Sequence, residues 1–330
     1  MSTIRWGIAG PGRIAEKVVT DFIHVTDAEV VAVGSRSSDR ARAFADRHGI
    51  ARAHGSYRAL IDDPEVDVIY LATPHSEHRD FALAAIEAGK ALLVEKSFTS
   101  TVAGAEQVIE AARAKGVFVM EAMWTRFQPA YRRLAELIAD GSLGEIKMVQ
   151  ADLGAQRAFD PDDRLFSPDL GGGAMLDLGV YVISFAQALL GTPSTIEITG
   201  TTYDNGVDAS FAMSLDFDQR AQASLMASFT AGSPGAAVVA AENGWVRVEP
   251  RFHHPASLTV KLGSDDPEEF HLPPIGQGYA HEFIEVTECL KVGKLESEVM
   301  PLDDTLAVQR IMNAGCEQLG LHHVEGNVQL

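Results

Sequence analysis

The fold is decided by the stretch Ile4-Arg5-Trp6-Gly7-Ile8-Ala9-Gly10-Pro11-Gly12-Arg13-Ile14-Ala15. Its first half is mainly apolar and predicts a strand, and its second half has the pattern G-x-G-x-x-A of a strand turning into a helix. Gly10 allows the tight turn, Gly12 lets a pyrophosphate approach the backbone, and Ala15 keeps helix and strand close. The N–H groups at the helix start attract the anion. The pattern predicts a dinucleotide site that includes Gly10, Gly12, Arg13 and Ile14.

Length and charge bound the class of protein. A chain of 330 residues predicts two domains. The net charge of -19 comes without a basic cluster, which argues against a nucleic-acid groove or a membrane surface as partner. Cys289 and Cys316 give neither a disulfide framework nor the spacing of a zinc site. Without a leader sequence, or an uncharged apolar run of about 18 residues, we expect a cytoplasmic protein.

The two halves of the chain differ in pattern. Residues 1–122 alternate β-branched runs with helical stretches, which predicts an α/β Rossmann domain with a doubly wound parallel sheet that binds NAD(P). The predicted strands after the first are Glu29 to Val33, Val66 to Leu71, Ala91 to Glu95 and Val117 to Met120. Residues 123–330 are expected to form an α+β domain for substrate binding and oligomerisation.

The second domain is predicted to contain a large, mainly antiparallel open sheet. A strand is expected over Ile146 to Asp152, and Asn205-Gly206 and Asn243-Gly244 are hairpin turn signals. Two helices broken near Met300-Pro301 are expected between residues 279 and 319, and they are candidates to pack back toward the first domain. The polar tail after them is expected to be loose.

One face of this sheet predicts self-association. Apolar residues at the odd positions 207–217 alternate with Asp208, Ser210, Ala212, Ser214 and Asp216, so one face packs on helices. The other face carries small side chains, and Ser224, Met226 and Ser228 continue it. Because a solvated sheet usually carries longer charged side chains, we expect a homodimer or a dimer of dimers.

The end of the second strand predicts which cofactor is bound. An NAD site usually has an acidic residue here, whereas this chain has Ser35-Arg36-Ser37-Ser38-Asp39-Arg40. Arg36 and Arg40 with the Ser35 and Ser37 hydroxyls suit a 2′-phosphate. We therefore predict NADP, with NAD possible. The alternative interpretation is that Ser37 or Ser38 is only a helix cap and the arginines are solvated.

Three further motifs carry a resemblance to a known family. They are Ala72-Thr73-Pro74-His75-Ser76-Glu77-His78, the pair Glu95-Lys96, and the stretch from Gly171-Gly172-Gly173 to Asp177-Leu178-Gly179-Val180-Tyr181. With the first motif they resemble the glucose-fructose oxidoreductase, inositol dehydrogenase and MocA-like family. Glu121 to Phe127 and Gly278 to Phe283 place it nearest the branch of dimeric dihydrodiol dehydrogenase and NADP-dependent xylose dehydrogenase. The resemblance implies that Thr73, Pro74, His78, Glu95 and Lys96 contact the cofactor.

The resemblance also implies the catalytic residues Lys96, Asp177 and Tyr181. Asp177 and Tyr181 are four apart on a predicted helix that ends at Gly191, so they share one face, while Gly179 leaves room for a flat group. Tyrosine has a pKa of about 10 and needs a nearby cation to act as a base. Lys96 can be that cation. Asp177 is expected to hold a substrate hydroxyl or Lys96.

One residue departs from the family pattern. Relatives usually have proline after the Glu-Lys pair, often with a cis bond, and this chain has Ser97. Either the cis geometry is kept with serine, or Lys96 is presented differently.

Substrate contacts are expected from aromatic and charged residues near the domain junction at 121–127. The candidates are Trp124, Arg126 and Phe159, although aromatic residues are more often core than pocket. His75-x-x-His78 has a spacing that metal sites use, but no third ligand is evident nearby, so we expect no metal. The pairs at 253–254 and 322–323 are weaker candidates still.

These observations predict an NADP-dependent oxidoreductase. Hydride passes between the nicotinamide and a secondary alcohol or carbonyl of a cyclic polyol, an aldopyranose or a trans-dihydrodiol, and the proton goes to Tyr181. An NAD-retaining glycosidase is one alternative. A non-catalytic nucleotide-binding sensor with the same fold is the other.

Overall fold

Two structural units make up the chain in a computed structural model, which describes residues 3–326 and 328–330. The first unit comprises Met1–Met123, Ile275–Leu306 and Val324–Leu330. The second comprises Trp124–Pro274 and Ala307–His323. The roles predicted for residues 1–122 and 123–330 remain predictions.

The first unit is built on a six-stranded parallel sheet. Its strand order is β3-β2-β1-β4-β5-β6, which is the order of a dinucleotide-binding doubly wound sheet. The predicted fold class is therefore confirmed for this half. The strands are β1 (Ile4–Ala9), β2 (Ala28–Gly34), β3 (Arg52–His54), β4 (Val68–Leu71), β5 (Ala91–Glu95) and β6 (Val119–Ala122).

Helices of this unit follow the strands, as the alternating pattern predicts. Short 3-10 turns occupy Phe22–His24 and His75–Glu77. The helices are α1 (Arg13–Asp21), α2 (Ser38–His48), α3 (Tyr57–Ile61), α4 (His78–Glu87), α5 (Val102–Lys115) and, late in the chain, α8 (Ala280–Lys291).

An aromatic cluster joins α8 to the sheet of the first unit. The ring of Phe283 on α8 lies 4.8 Å from that of Trp6 on β1 and 5.1 Å from that of Tyr70 on β4. Trp6, Tyr70 and Phe283 are fully buried, and such rings contribute both buried area and favourable edge contacts. This packing makes α8, although distant in sequence, part of the first unit.

The C-terminal tail is ordered by hydrogen bonds, so the expectation of a loose tail is wrong for its described residues. Glu325 Oε1 accepts hydrogen bonds from the N–H and the hydroxyl of Thr101, each 2.8 Å long. The Gly326 N–H donates to the Ser76 carbonyl at 2.8 Å. Glu325 and Gly326 of this polar tail thus bind other parts of the same unit.

The second unit is built on an eight-stranded sheet of order β14-β13-β12-β11-β7-β10-β9-β8. β7 and β10 are parallel, and the other neighbours are antiparallel. The predicted mainly antiparallel sheet and the hairpins at residues 205–206 and 243–244 are thus confirmed. The strands are β7 (Ile146–Gly154), β8 (Thr195–Thr202), β9 (Asp208–Phe217), β10 (Ala221–Ser228), β11 (Ala237–Ala241), β12 (Gly244–Val248), β13 (Ser257–Leu262) and β14 (Glu268–His271).

The remaining helices include α6 (Pro129–Ala139), α7 (Val180–Leu190) and α9 (Leu302–Gln318). Short 3-10 turns lie at Trp124–Phe127, Arg164–Phe166 and Pro168–Leu170. The break near Met300-Pro301 is confirmed, because α8 ends at Lys291 and α9 begins at Leu302. Residues 168–190 are long and apolar enough to cross a membrane by length and composition, but 89% of the apolar 18-residue window within them is buried in the molecule.

The helix predicted around Asp177 is not α-helical throughout. Met175–Gly179 forms a π-helical turn that continues into α7 at Val180. Such wide turns occur mostly as single turns joined to α-helices and frequently at functional sites. Asp177 is therefore on the wide turn, and Tyr181 is on the first turn of α7.

The alternation along β9 holds with one exception. Ala209, Phe211, Met213, Leu215 and Phe217 are buried, whereas Ala212 and Ser214 are exposed as predicted. Asp208, which the alternation placed on the exposed face, is fully buried. The cause is a tertiary contact, because its carboxylate accepts the backbone N–H of Met175 at 2.5 Å.

Candidate active site

The turn after β1 has the geometry that its glycines predict. Gly10 has φ +88°, and a Cβ there would lie 2.8 Å from the Ala72 carbonyl oxygen. A Cβ at Gly12 would meet nothing within 4 Å, and Ala15 is fully buried. Gly10 thus allows the tight turn. The space beside Gly12, at the start of α1, lets an anion approach the backbone N–H groups. The residues present fit a dinucleotide pyrophosphate.

The segment after β2 combines a helix cap with an ion pair. The Ser37 hydroxyl oxygen accepts the Arg40 N–H at 3.3 Å, so Ser37 caps α2, and Ser35 Oγ accepts the Ser37 N–H at 3.2 Å. Arg36 Nη1 donates to Glu77 Oε1 at 2.9 Å. The capping part of the alternative interpretation is therefore correct. Arg36, however, is not merely solvated, because it binds a buried carboxyl group.

Glu77 is the buried partner in that ion pair. It is 4% exposed. Burial raises the pKa of Glu77 above its ordinary value, and the charge and hydrogen bond of Arg36 act in the opposite direction. Because Arg36 itself is half exposed, the pair holds a guanidinium at the surface beside the end of β2.

Lys96 follows β5 on a turn that two histidines support. The peptide bond between Lys96 and Ser97 is cis, so of the two expected arrangements the chain has the cis bond with serine. His75 Nε2 lies 3.1 Å from the Lys96 carbonyl oxygen. His78 is fully buried, with Nδ1 3.0 Å from the Ser97 carbonyl oxygen and Nε2 2.9 Å from that of Thr73. This position makes His78 a support of the Lys96 turn.

Two carboxyl groups of the first unit, those of Glu95 and Glu282, lie near each other. Glu95 accepts hydrogen bonds from the Tyr70 hydroxyl and from the Lys96 N–H. Glu282 on α8 is almost fully buried, and burial together with the charge of Glu95 raises its pKa well above the ordinary value. Glu282 belongs to the late motif that the resemblance included, and the structure places it near the Glu-Lys pair.

Asp177 on the wide turn is flanked by two arginines of the second unit. Arg157 Nη2 lies 3.7 Å from its Oδ2, and Arg164 Nη2 lies 3.7 Å from its Oδ1. Asp177 is 6% exposed, and the two guanidinium groups offset the charge that burial would otherwise leave uncompensated. Both arginines come from the long segment after β7.

Tyr181 packs against His253, which precedes β13. The ring centroids are 5.0 Å apart, and the ring planes make an angle of 42°. The Trp124 ring lies 5.9 Å from that of His253 and 5.1 Å from that of His254. The His253 ring thus lies between Tyr181 and Trp124 in a chain of ring contacts within the second unit.

The other predicted substrate contacts lie in different surroundings. Arg126 is 3% exposed and donates to Gln187 Oε1 at 2.7 Å and to Ser184 Oγ at 3.4 Å, so it fixes α7 from inside. Phe159 is 45% exposed and packs on Phe166 and Tyr203. Phe159 can therefore meet a ligand directly, whereas Arg126 acts through α7.

Two expectations about glycine and histidine are revised by the packing. The flat group that Gly179 admits is the Phe211 ring, because a Cβ at Gly179 would lie 2.8 Å from it. His253, judged a weak candidate from sequence, lies against Tyr181. No periodicity signals this contact. Arg157 and Arg164 were likewise missed, because their segment contains only short 3-10 turns and gives no periodic pattern. Within the described ranges, no group of three histidine, cysteine, aspartate or glutamate side chains could hold a metal ion.

Comparisons with known proteins agree with this architecture. Residues 4–123 match a family model described as an oxidoreductase family with an NAD-binding Rossmann fold, and residues 131–247 match the GFO/IDH/MocA C-terminal domain. The fold and the site define an NAD(P)-dependent dehydrogenase. The chain belongs to the GFO/IDH/MocA oxidoreductase family, as the sequence motifs predicted.

Individual relatives match over nearly the whole chain. A trans-1,2-dihydrobenzene-1,2-diol dehydrogenase of Xenopus tropicalis is 32% identical, with 96% of this chain and 98% of the relative covered. An aldose-aldose oxidoreductase of Caulobacter crescentus, solved with glycerol, has a TM-score of 0.87 at 26% identity and covers 96% of this chain and 98% of its own. A 3-ketoreductase of Actinomadura kijaniata, solved with NADP and TDP-benzene, has a TM-score of 0.84 at 26% identity, with 98% and 99% covered. The chain is thus similar to sugar and diol oxidoreductases.

Proposed function

We propose that this protein is an NADP-dependent oxidoreductase that acts on a secondary alcohol or carbonyl of a cyclic polyol, an aldopyranose or a trans-dihydrodiol. The observation that carries the proposal is the placement of Asp177 and Tyr181 on one continuous segment that runs from the π-helical turn into α7. Two guanidinium groups flank Asp177, and the His253 ring packs against Tyr181. A sugar or a diol has hydroxyl groups, which polar side chains bind, and apolar carbon faces, which aromatic rings cover. A site with both kinds of side chain suits such a substrate.

The chain supplies the proton chemistry of this reaction. We assign Tyr181 as the group that takes the substrate hydroxyl proton on oxidation and returns it on reduction. Lys96 of the first unit assists through its positive charge, and Asp177 accepts a hydrogen bond from a second substrate hydroxyl. A nicotinamide cofactor, when bound, supplies the hydride acceptor or donor. Trp124 and Phe159 are the proposed ring contacts of the substrate.

The same proposal assigns the cofactor site to the first unit. Gly10, Gly12, Arg13 and Ile14 would hold the pyrophosphate, and Thr73, Pro74, Glu95 and Lys96 would lie along the nicotinamide half. For the 2′-phosphate we propose Arg36 and Arg40 with the hydroxyls of Ser35 and Ser37. Support comes from the half-exposed guanidinium of Arg36, which Glu77 holds beside the end of β2. NADP is therefore preferred over NAD in this proposal.

We propose further that the protein is a cytoplasmic homodimer assembled through the open face of the second sheet. Ala212, Ser214, Ser224 and Met226 are exposed on neighbouring strands β9 and β10, and Met226 is 56% exposed. A surface of small and weakly polar side chains can pack flat against a second copy of itself.

The test is a panel of pyranoses, inositols and diols assayed by cofactor fluorescence, with NADP and NAD in parallel. We expect turnover with NADP on at least one substrate and a loss of at least about a hundredfold in Tyr181→Phe. Unchanged turnover in that variant would remove Tyr181 from the mechanism. An enzyme that purifies with NAD bound and cleaves glycosides would support the glycosidase alternative, and cofactor binding without turnover would support the sensor.

A further inference from the structure

Asp208 is a buried carboxyl group to which the proposed reaction gives no role. It is the first residue of β9 and is fully buried. Its Oδ2 accepts the Met175 N–H at 2.5 Å, and the Ala174 N–H also hydrogen-bonds to the carboxylate. Oδ1 has no hydrogen-bond partner among the residues that the structure describes. Because burying an incompletely satisfied carboxylate costs free energy, its presence calls for a reason.

The glycine run before the wide turn makes room for this carboxyl group. A Cβ at Gly173 would lie only 1.9 Å from Asp208 Oδ1, and Gly173 has φ +124°. An alanine there would therefore meet both a steric clash and an unfavourable backbone conformation. The close approach of Asp208 thus explains why the third residue of the Gly171-Gly172-Gly173 run is a glycine.

The segment that Asp208 holds is the one that carries the proposed reaction. Met175 begins the wide turn Met175–Gly179, which contains Asp177 and leads directly to Tyr181. A second residue of β9 supports the same turn, because a Cβ at Gly179 would lie only 2.8 Å from the Phe211 ring. Strand β9 therefore contacts both ends of the turn, by hydrogen bonds at the start and by ring packing at the end.

We propose that Asp208 is a positioning residue whose ionised carboxylate fixes the start of the wide turn and thereby the placement of Asp177 and Tyr181 for catalysis. The inference rests on the catalytic roles proposed above for Asp177 and Tyr181. An ionised carboxylate accepts several N–H groups at once, whereas protonation converts one oxygen into a donor and weakens its hold on the turn.

The surroundings of Asp208 make this hold sensitive to pH. Burial raises the pKa of Asp208 to about 6, and the N–H groups of Met175, Asp208 itself and Ala174 oppose the shift. The charge of Asp208 raises the pKa of two other titratable groups, Tyr203 before β9 and Cys316 on α9. Both are neutral near pH 6, so they do not compete with Asp208 for the titration. The turn is held most firmly above the pKa of Asp208.

The experiment compares Asp208→Asn with the wild-type enzyme and with Asp216→Asn, a matched control on the same strand whose partners are Ser194 and Gln219. Steady-state kcat and KM are measured across the acid range. For Asp208→Asn we expect kcat to fall at least about tenfold, as for loss of one charge-assisted hydrogen bond. KM for NADP stays unchanged, and the rise of kcat through about pH 6 disappears. Asp216→Asn keeps both kcat and the rise.

A wild-type kcat and pH profile in Asp208→Asn would overturn the proposal. If that variant does not fold, amide hydrogen exchange of Met175 in the wild-type protein gives the answer, after correction for the intrinsic rate. Relative to amides that exchange only by global unfolding, we expect the Met175 amide to be less protected below the pKa of Asp208 than above it, and a ratio that does not change with pH would refute the inference. Because this exchange does not depend on turnover, it separates a failure of the positioning role from a failure of the catalytic role of Tyr181.

Discussion

The ring of His253 lies 5.0 Å from the ring of Tyr181. The two residues come from different elements, since Tyr181 is on α7 and His253 precedes β13. The Thr125 hydroxyl donates to the His253 carbonyl at 2.9 Å, which fixes the backbone behind the imidazole. His253 therefore limits the orientations that the proposed catalytic phenol can adopt.

Replacing His253 tests this relationship. We expect His253→Ala to lower kcat about two- to tenfold, which corresponds to the loss of an aromatic pair of about 0.5–1.5 kcal/mol. His253→Phe should retain most activity, because it keeps a ring against Tyr181. His271→Ala, at an exposed position on β14, is the control. Equal activity of His253→Ala and the wild type would show that the contact does not orient Tyr181.

Cofactor preference is expected to depend on Arg36. Arg36→Ala should raise KM for NADP about tenfold to a hundredfold, the range for loss of a hydrogen bond to a charged group, and leave KM for NAD unchanged. Arg42→Ala removes an exposed arginine from α2, the helix that follows Arg36, and should change neither constant. Initial rates with both cofactors measure these values. A parallel rise for NAD would mean that Arg36 supports the fold and not the 2′-phosphate.

Assembly is tested by a charged replacement on the open sheet face. Sedimentation velocity at micromolar concentration should show a dimer for the wild type and a monomer for Ala212→Arg, because a desolvated guanidinium without a partner is costly in an interface. Ala51→Arg, at an exposed position before β3, should remain a dimer. A monomeric wild type, or a dimeric Ala212→Arg, would exclude this face as the interface.

Asp208 should also make the stability of the protein depend on pH. Ionisation of its carboxyl group is expected to lower the free energy of unfolding, whereas it is expected to raise kcat. Because its pKa is raised from 3.8 to about 6 in the fold, the folded state binds more protons than the unfolded state between these values. The stabilising contribution of the protonated group is present below the unfolded pKa and is lost as pH rises through the folded pKa.

The measurement is the difference in unfolding free energy between the wild type and Asp208→Asn. The wild-type value minus the variant value should fall by about 2 kcal/mol between pH of about 4 and about 7. The difference between the two proteins removes the pH-dependent contributions of other carboxylates, such as Asp63 and Asp67, whose pKa values are lowered. A constant difference across this range would contradict the shifted titration of Asp208.

Neither cysteine should react in the folded protein. Cys289 and Cys316 are buried. Burial raises the pKa of Cys289 to about 12 and also raises the pKa of Cys316. Since the thiolate is the nucleophile, iodoacetamide near neutral pH should label neither until the chain is unfolded. Mass spectrometry before and after denaturation checks this, and rapid labelling of the native protein would argue against the buried environment.

Local signals in the sequence were enough for much of the fold. Gly10 predicted the turn after β1, Asn205-Gly206 predicted the β8–β9 hairpin, and Gly191 marked the end of α7. Each depends on backbone conformations that a few adjacent residues determine. The family motifs also predict Lys96, Asp177 and Tyr181 as catalytic residues, and that role stays a prediction.

The tertiary structure decided what faces those residues. The alternating pattern of β9 predicts that Asp208 is exposed, yet its carboxylate binds the N–H of Met175, 33 positions away. The contacts between Arg36 and Glu77 and between Tyr181 and His253 likewise join distant segments. The sequence by itself determined the order of strands and helices, because propensities, turns and periodicity act over a few residues. Burial, ion pairs and the environment of the proposed catalytic groups depended on which segments pack together, and only the folded chain decides that.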